Sequence, residues 1–267
     1  MESNSSLLSL VNKPQNFPFE NEYINKELKK KISFRPYTVA EEKDLLVSRA
    51  SGNWELYEKS CISLIENCGK IKDLIKFPKF IIAEMAKFLR IISYSDTIEF
   101  SWDCEHCKNS DQPEKIDLKE YLVLPEQKEM FLKMDTYTMF FQYLSYQDEF
   151  EIEKNSEKNL PKDWKLKKSE PEVKKIIREN SINKNYEIIA RMIKEVKTDN
   201  KVFSNSPLEE KKEFLMSLDK KTFEKILDKI NQLDLKPLTL EKKCACNKCQ
   251  KESNIIIGNG VSSFFEF

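Results

Sequence analysis

Glycine is nearly absent from this chain. There are four in 267 residues, and the only close pair, Gly258 and Gly260, lies near the end in GNG. Phosphate-cradling loops need several glycines at fixed spacing, in the dinucleotide fingerprint and the Walker loop alike, so the sequence offers neither. Histidine is rarer still, with His106 alone. One histidine cannot build a two-histidine metal centre, and a histidine-dependent triad would have to use a residue wedged between two cysteines. No apolar run reaches the roughly eighteen residues of a membrane helix. The polar opening MESNSSLLSLVNKPQNFPFENEY also lacks the charged-then-apolar order of a secretory signal. These absences lead us to expect a soluble chain of cytoplasmic origin with no membrane role. An excess of one charge is missing too, since 45 basic residues balance 45 acidic ones. With no overall field to concentrate a polyanion, nucleic-acid binding would need a local patch.

What the chain does have is length, helical periodicity and cysteine. It is long enough to bury a substantial core without covalent help. Its seven cysteines are an odd number, which in a reducing compartment argues for thiols or metal ligands over a disulfide framework.

Residues 1–33 are polar, contain Pro14 and Pro18 and end in KELKKK, which reads as a flexible amino-terminal arm. A helical bundle is expected over 34–95. Thr38 and Glu41 form a capping box in FRPYTVAEEKDLLVSRA, predicting a helix from about 39 to 50. Trp54, Tyr57, Cys61, Leu64 and Cys68 recur at helical spacing, so Cys61 and Cys68 are expected to be core thiols. FPKFIIAEMAKFLRIIS supplies a third helix, with Pro78 near its first turn. The period then changes to two in TIEFSWDC, a strand signal that runs into the first cysteine pair. Past that pair, EKIDL and YLVLP read as short strands, and TYTMFFQYLSYQDEF reads as helix. Residues 151–171 form a charged loop with Trp164 as its one candidate anchor. This loop lies within a second helical region over 126–237.

Two C-x-x-C stretches stand about 140 residues apart, CEHC at 104–107 and CNKC at 246–249. Zinc prefers four ligands in a tetrahedron, and two intervening residues let both sulfurs of a tight knuckle face one ion. Strand-like sequence flanks each pair, TIEFSW and KIDL around the first and LTLEKK and NIIIG around the second. Cys104, Cys107, Cys246 and Cys249 are therefore the expected ligands of one structural zinc ion, with Cys244 a possible substitute. A fourth thiolate fills the position that a catalytic zinc keeps open for water, so the metal is expected to hold the chain together. The expected architecture is mainly α with a small β zinc-ribbon, an α+β fold whose helices pack around a two-knuckle four-cysteine ribbon. The ribbon itself would comprise 96–125 and 238–267.

The motifs FRPYTVAEEKDLL, FIIAEMAKFLRIIS, IDLKEY, LEEKKEFLMSLDKKTFEKI and terminal GVSSFFEF resemble the baseplate hub subunit and hub assembly family of T-even-type contractile-tailed bacteriophages, over roughly 32–267. That resemblance implies a non-enzymatic structural or assembly component of the tail baseplate hub. Its partners would be other phage tail proteins, with self-association also possible, and its place would be the virion or the host cytoplasm during assembly. No catalytic residue carries over. In the terminal SSFFEF, Phe264, Phe265 and Phe267 are expected either to anchor a neighbouring subunit or to dock on their own domain.

The alternative from another class is a zinc-ribbon nucleic-acid-binding regulatory factor, because Lys108, Lys115, Lys242, Lys243, Lys248 and Lys251 flank the knuckles. Asp103, Glu105, Asp111 and Glu114 interleave acids with the first group, which makes nucleic acid the weaker choice. A thiol oxidoreductase is a third reading of the cysteine pairs.

Overall fold

A computed structural model describes residues 14–16, 18, 32–122, 130–157, 160–161, 163–164, 167–233, 239–259 and 261–265. In chain order its elements are β1 (Gln15–Asn16), β2 (Ser33–Phe34), α1 (Val39–Ala50), α2 (Trp54–Gly69), α3 (Lys79–Ser93), β3 (Thr97–Trp102) and β4 (Gln112–Asp117). There follow β5 (Phe131–Lys133), β6 (Thr138–Phe141), α4 (Tyr146–Ser156), α5 (Pro171–Met192), β7 (Ile193–Lys197) and β8 (Val202–Ser204). The last are α6 (Leu208–Ser217), α7 (Lys220–Leu233), β9 (Thr239–Ala245) and β10 (Glu252–Asn259). The chain divides into two compact units. The first takes Met1–Leu74, Lys79–Pro125 and Leu235–Phe267, and the second takes Ile75–Pro78 and Glu126–Asp234.

In the first unit α1 begins where the sequence places it. Thr38 caps the helix, accepting from the Glu41 N–H at 3.3 Å, while the Glu41 carboxylate accepts from the Thr38 N–H at 2.8 Å. Arg35 clamps the same carboxylate through both guanidinium nitrogens, at 2.9 and 2.6 Å. On α2, Cys61 and Cys68 are buried beside Tyr57 and Ile65. Burial pushes the Cys68 thiol up to about 12, which keeps it protonated and unreactive. Gly69 ends this helix where a Cβ would stand 2.6 Å from the Phe34 ring, so one of the few glycines serves close packing.

Helix α3 is buried on nearly every side, and Glu84, Lys87 and Arg90 lie inside along with its apolar residues. Spaced by three, Glu84 and Lys87 pair with each other, and Lys87 and Arg90 also reach the chain around them. The Lys87 ammonium bonds Glu84 and the Tyr121 carbonyl and sits 5.8 Å from the Phe264 ring centroid. Arg90 reaches the Phe264 carbonyl at 3.4 Å. Val261, Phe264 and Phe265 are buried in this same unit, on a 3-10 turn at Ser262–Phe265.

The second unit differs from the helical region expected over 126–237. It contains a four-stranded antiparallel sheet ordered β5-β6-β7-β8, against which α5, α6 and α7 build a core of Met139, Phe141, Ile189, Leu215, Ile226 and Ile230. Strands of three to five residues leave too little alternation to read from sequence. TYTMFFQYLSYQDEF, read as helix more than strand, splits into β6 and α4. The loop expected over 151–171 loses residues 151–156 to α4, because Ser145 and Asp148 form a capping box that starts that helix. Arg191 of α5 then grips α4 through Asp148 at 2.7 Å and Glu151 at 2.9 Å. Helix α5 runs unbroken for 22 residues, with Pro171 at its start and neither glycine nor proline inside.

Candidate metal centre

The two cysteine pairs sit at the turns of two β-hairpins in the first unit. Strands β3 and β4 pair antiparallel from Thr97↔Asp117 to Trp102↔Gln112, and β9 and β10 pair from Thr239↔Asn259 to Glu252↔Ala245. The turns repeat one geometry. The first cysteine of each pair donates its N–H to the residue five positions on, Cys104 to the Asn109 carbonyl at 2.9 Å and Cys246 to the Lys251 carbonyl at 3.0 Å. The carbonyl of each first cysteine accepts from the residue four positions on, Lys108 and Gln250, at 2.9 Å in both turns. Those two residues take left-handed φ values of 58° and 61° although neither is glycine. The conformation costs roughly 1–2 kcal/mol per residue, so its appearance in both turns shows each backbone bent around its sulfurs.

The four sulfurs of Cys104, Cys107, Cys246 and Cys249 lie within 4.8 Å of one another. Cys104 and Cys249 approach to 3.7 Å, and Cys107 and Cys246 to 3.6 Å. A disulfide would need about 2.05 Å. Four thiolates about 2.3 Å from a central zinc, at tetrahedral angles, stand about 3.8 Å apart, close to the distances observed. The residues therefore fit a metal ion, and these four are near enough to hold one.

Cys244 is buried beside this group but stays outside it, with its thiol directed at the Lys242 carbonyl 3.8 Å away. Burial raises its pKa, opposing the thiolate a ligand must become. His106 is also outside, with Nε2 3.4 Å from the Glu252 carbonyl oxygen.

Within the cluster the thiols do not titrate alike. N–H bonds from Cys249 first, and from Lys248, hold Cys246 down at about 6 despite its burial. Although the Asn109 N–H pulls Cys107 down, desolvation and the neighbouring sulfurs push it up to about 11. Four thiolates cannot share so small a space unless a cation offsets them.

Side chains between the hairpins were not foreseen from sequence. Asn109 donates to the Asn247 amide oxygen at 2.8 Å, and the Asn247 N–H donates to Gln112 at 3.0 Å. Lys242 pairs with Glu114 at 2.9 Å, and the Tyr121 hydroxyl donates to the Glu241 carbonyl at 3.0 Å. The only signal in the sequence was an amide residue beside each knuckle. Trp102 covers the sulfurs from the β3 side, together with Phe100 and Ile255.

The expected partner anchors stand elsewhere. Phe264 and Phe265 are 0% and 1% exposed inside the first unit, so neither ring presents a free face, and Phe267 lies outside the described residues. Two of the six lysines flanking the knuckles are taken by acids, Lys115 by Glu99 at 2.7 Å and Lys242 by Glu114. No helix among the described residues is long and apolar enough to cross a membrane.

Four mutually adjacent thiols are close enough to hold one metal ion, and an ion bound by all four in a tetrahedron would keep no open position. No curated protein and no solved structure matches the chain. A family model described as T4 bacteriophage base plate protein matches residues 20–266, a span that takes in both units and both knuckles. The chain belongs to the T4 bacteriophage base plate protein family.

Proposed function

We propose that this chain is a non-enzymatic structural or assembly component of the phage baseplate hub. It acts through protein–protein contacts and is stabilised by one structural zinc ion held by Cys104, Cys107, Cys246 and Cys249. The observation that carries the reading is the family match over residues 20–266, which includes the four-thiol cluster. The donor set supports zinc, because an all-sulfur tetrahedron suits zinc or an iron–sulfur centre and excludes magnesium and calcium. The two hairpins then form a zinc ribbon. Its place of action is the tail baseplate, or the host cytoplasm while the baseplate is assembled.

The test is genetic and microscopic. A phage deleted for this chain should accumulate incomplete baseplates in electron micrographs, and the wild-type chain supplied in trans should restore tails. Normal tail yield from the deletion phage would overturn the proposal. The nucleic-acid alternative predicts binding that falls steeply between low and moderate salt. The engagement of Lys115 and Lys242 by acids weighs against it.

A further inference from the structure

An open groove of about 540 Å³ lies on the second unit, lined by Trp164, Lys168, Lys174, Ile177, Arg178 and Ile182. Among the described residues its lining carries three cations and no acid. Lys174, Ile177, Arg178 and Ile182 fall on one face of α5 by their spacing. Lys168 stands over the Trp164 ring, 5.2 Å from its centroid.

Two of the nearby acids are committed elsewhere, while Glu170 and Glu172 flank the helix start outside the lining. Asp163 pairs with Lys167 at 2.8 Å and Glu179 with Lys175 at 3.9 Å, and among the described residues Lys168, Lys174 and Arg178 form no ion pair. The arrangement is unfavourable on its own. Lys174 and Arg178 are like charges at i and i+4, and the acid of the first turn, Glu172, is not part of the groove. Beneath the charges lies an apolar floor, where Trp164 and Ile177 are half-buried and Ile182 is 50% exposed.

We infer that this groove binds an acidic peptide segment of a partner protein, one that also carries an aliphatic or aromatic side chain. The carboxylates would lie against Lys168, Lys174 and Arg178, and the apolar side chain on Trp164, Ile177 and Ile182. Charge complementarity carries the choice, since the three lining cations, unpaired among the described residues, favour an anion. The floor then separates a peptide from a simple anion, which would leave it unused. A single-stranded polyanion is served by a long basic track, which a compact groove on a chain of zero net charge does not supply. The inference rests on the reading of this protein as one that works through protein contacts.

The experiment uses the full-length protein and a fluorescein-labelled peptide alternating glutamate with leucine and phenylalanine. A glutamine version of that peptide and an oligothymidylate serve as competing probes, followed by anisotropy at two salt concentrations. The acidic peptide should bind saturably and more weakly at high salt. The double change Lys174→Glu with Arg178→Glu should weaken it at least about tenfold. Lys175→Glu, on another face of α5, should leave binding intact, and circular dichroism should be unchanged for both variants. Absent saturable binding, equal binding of the glutamine peptide, tighter binding of oligothymidylate, or equal weakening by Lys175→Glu would each overturn the inference. Normal tails from the deletion phage would refute the hub reading without touching this result, so the two can fail separately.

Discussion

Stripping the metal from the purified protein should unfasten the first unit and leave the second intact. Direct bonds between the two hairpins are few. Among the described residues they comprise Asn109 to Asn247, Asn247 to Gln112, Lys242 to Glu114 and to the Lys115 carbonyl, Tyr121 to Glu241, and the long His106 contact at 3.4 Å. At about 0.5–1.5 kcal/mol net for each of these partly solvated bonds, they supply about 3–9 kcal/mol together. A ligand present at about a thousand times its dissociation constant stabilises the state that binds it by about 4 kcal/mol. Metal and direct bonds thus contribute comparably, and losing the metal should lower the melting temperature of the first unit by about 10 °C. The assay is zinc release to a colorimetric chelator, with thermal melts and hydrogen exchange on the same samples. Amides of β3, β4, β9 and β10 should lose protection, while those of α5 and α7, in a unit with no cysteine in the cluster, should keep it. Cys246→Ser should reproduce the stripped state, and Cys244→Ser should retain about one equivalent of metal because its thiol turns away from the other four. Complete metal removal with unchanged melting and exchange would refute the staple.

Two further predictions concern the first unit. Arg35 first, with help from the Thr38 amide and hydroxyl, holds the Glu41 carboxylate at about 2 instead of its ordinary 4.5. This stability is present above pH 4.5 and is lost as pH falls through about 2. In urea titrations, Glu41→Gln should cost about 1–2 kcal/mol at neutral pH after solvent screening, and nearly nothing at about pH 2. An equal cost at both pH values would show that the ion pair is not the source. Phe264→Ala removes a ring that is 0% exposed, and should cost about 3–5 kcal/mol in the same titration. A cost under about 1 kcal/mol would mean that the carboxy-terminal turn is not part of the core.

The parts of the structure that were legible in the sequence depend on a few residues with only one physical use. Thr38 and Glu41 predicted the start of α1 because a capping box has a single geometry. Cys61 and Cys68 fell on a helical stripe and are buried. The cysteine spacing foretold the grouping of four sulfurs because two intervening residues constrain a knuckle tightly. The sheet of the second unit was not legible, since β5 and β8 are three residues long and β6 is four. Its stability comes from packing against α5, α6 and α7, which no local pattern reports. The burial of Lys87 and Arg90 was equally hidden. Glu84 falls on the apolar face by its spacing, but nothing local shows that Lys87 and Arg90 are covered until Tyr121 and Phe264 are in place.

The separation of the two knuckles in sequence has a physical consequence for how the cluster forms. Closing a flexible loop between Cys107 and Cys246, 139 positions apart, costs about 4 kcal/mol in chain entropy. That nearly equals the metal's own contribution, so a zinc ion closing a structureless loop would gain little. The intervening chain is not structureless. The second unit carries its own core and a four-stranded sheet, so much of the chain between the knuckles is folded. Order within the second unit shortens the flexible chain that has to be closed, so the free energy of a bound metal would go to fastening one hairpin to the other. The same reasoning explains why each knuckle is built as a preformed β-turn with two backbone hydrogen bonds and a strained left-handed residue. Turns already bent around their sulfurs lose little further freedom when a cation arrives, so a site assembled from distant halves of the chain can still bind as one.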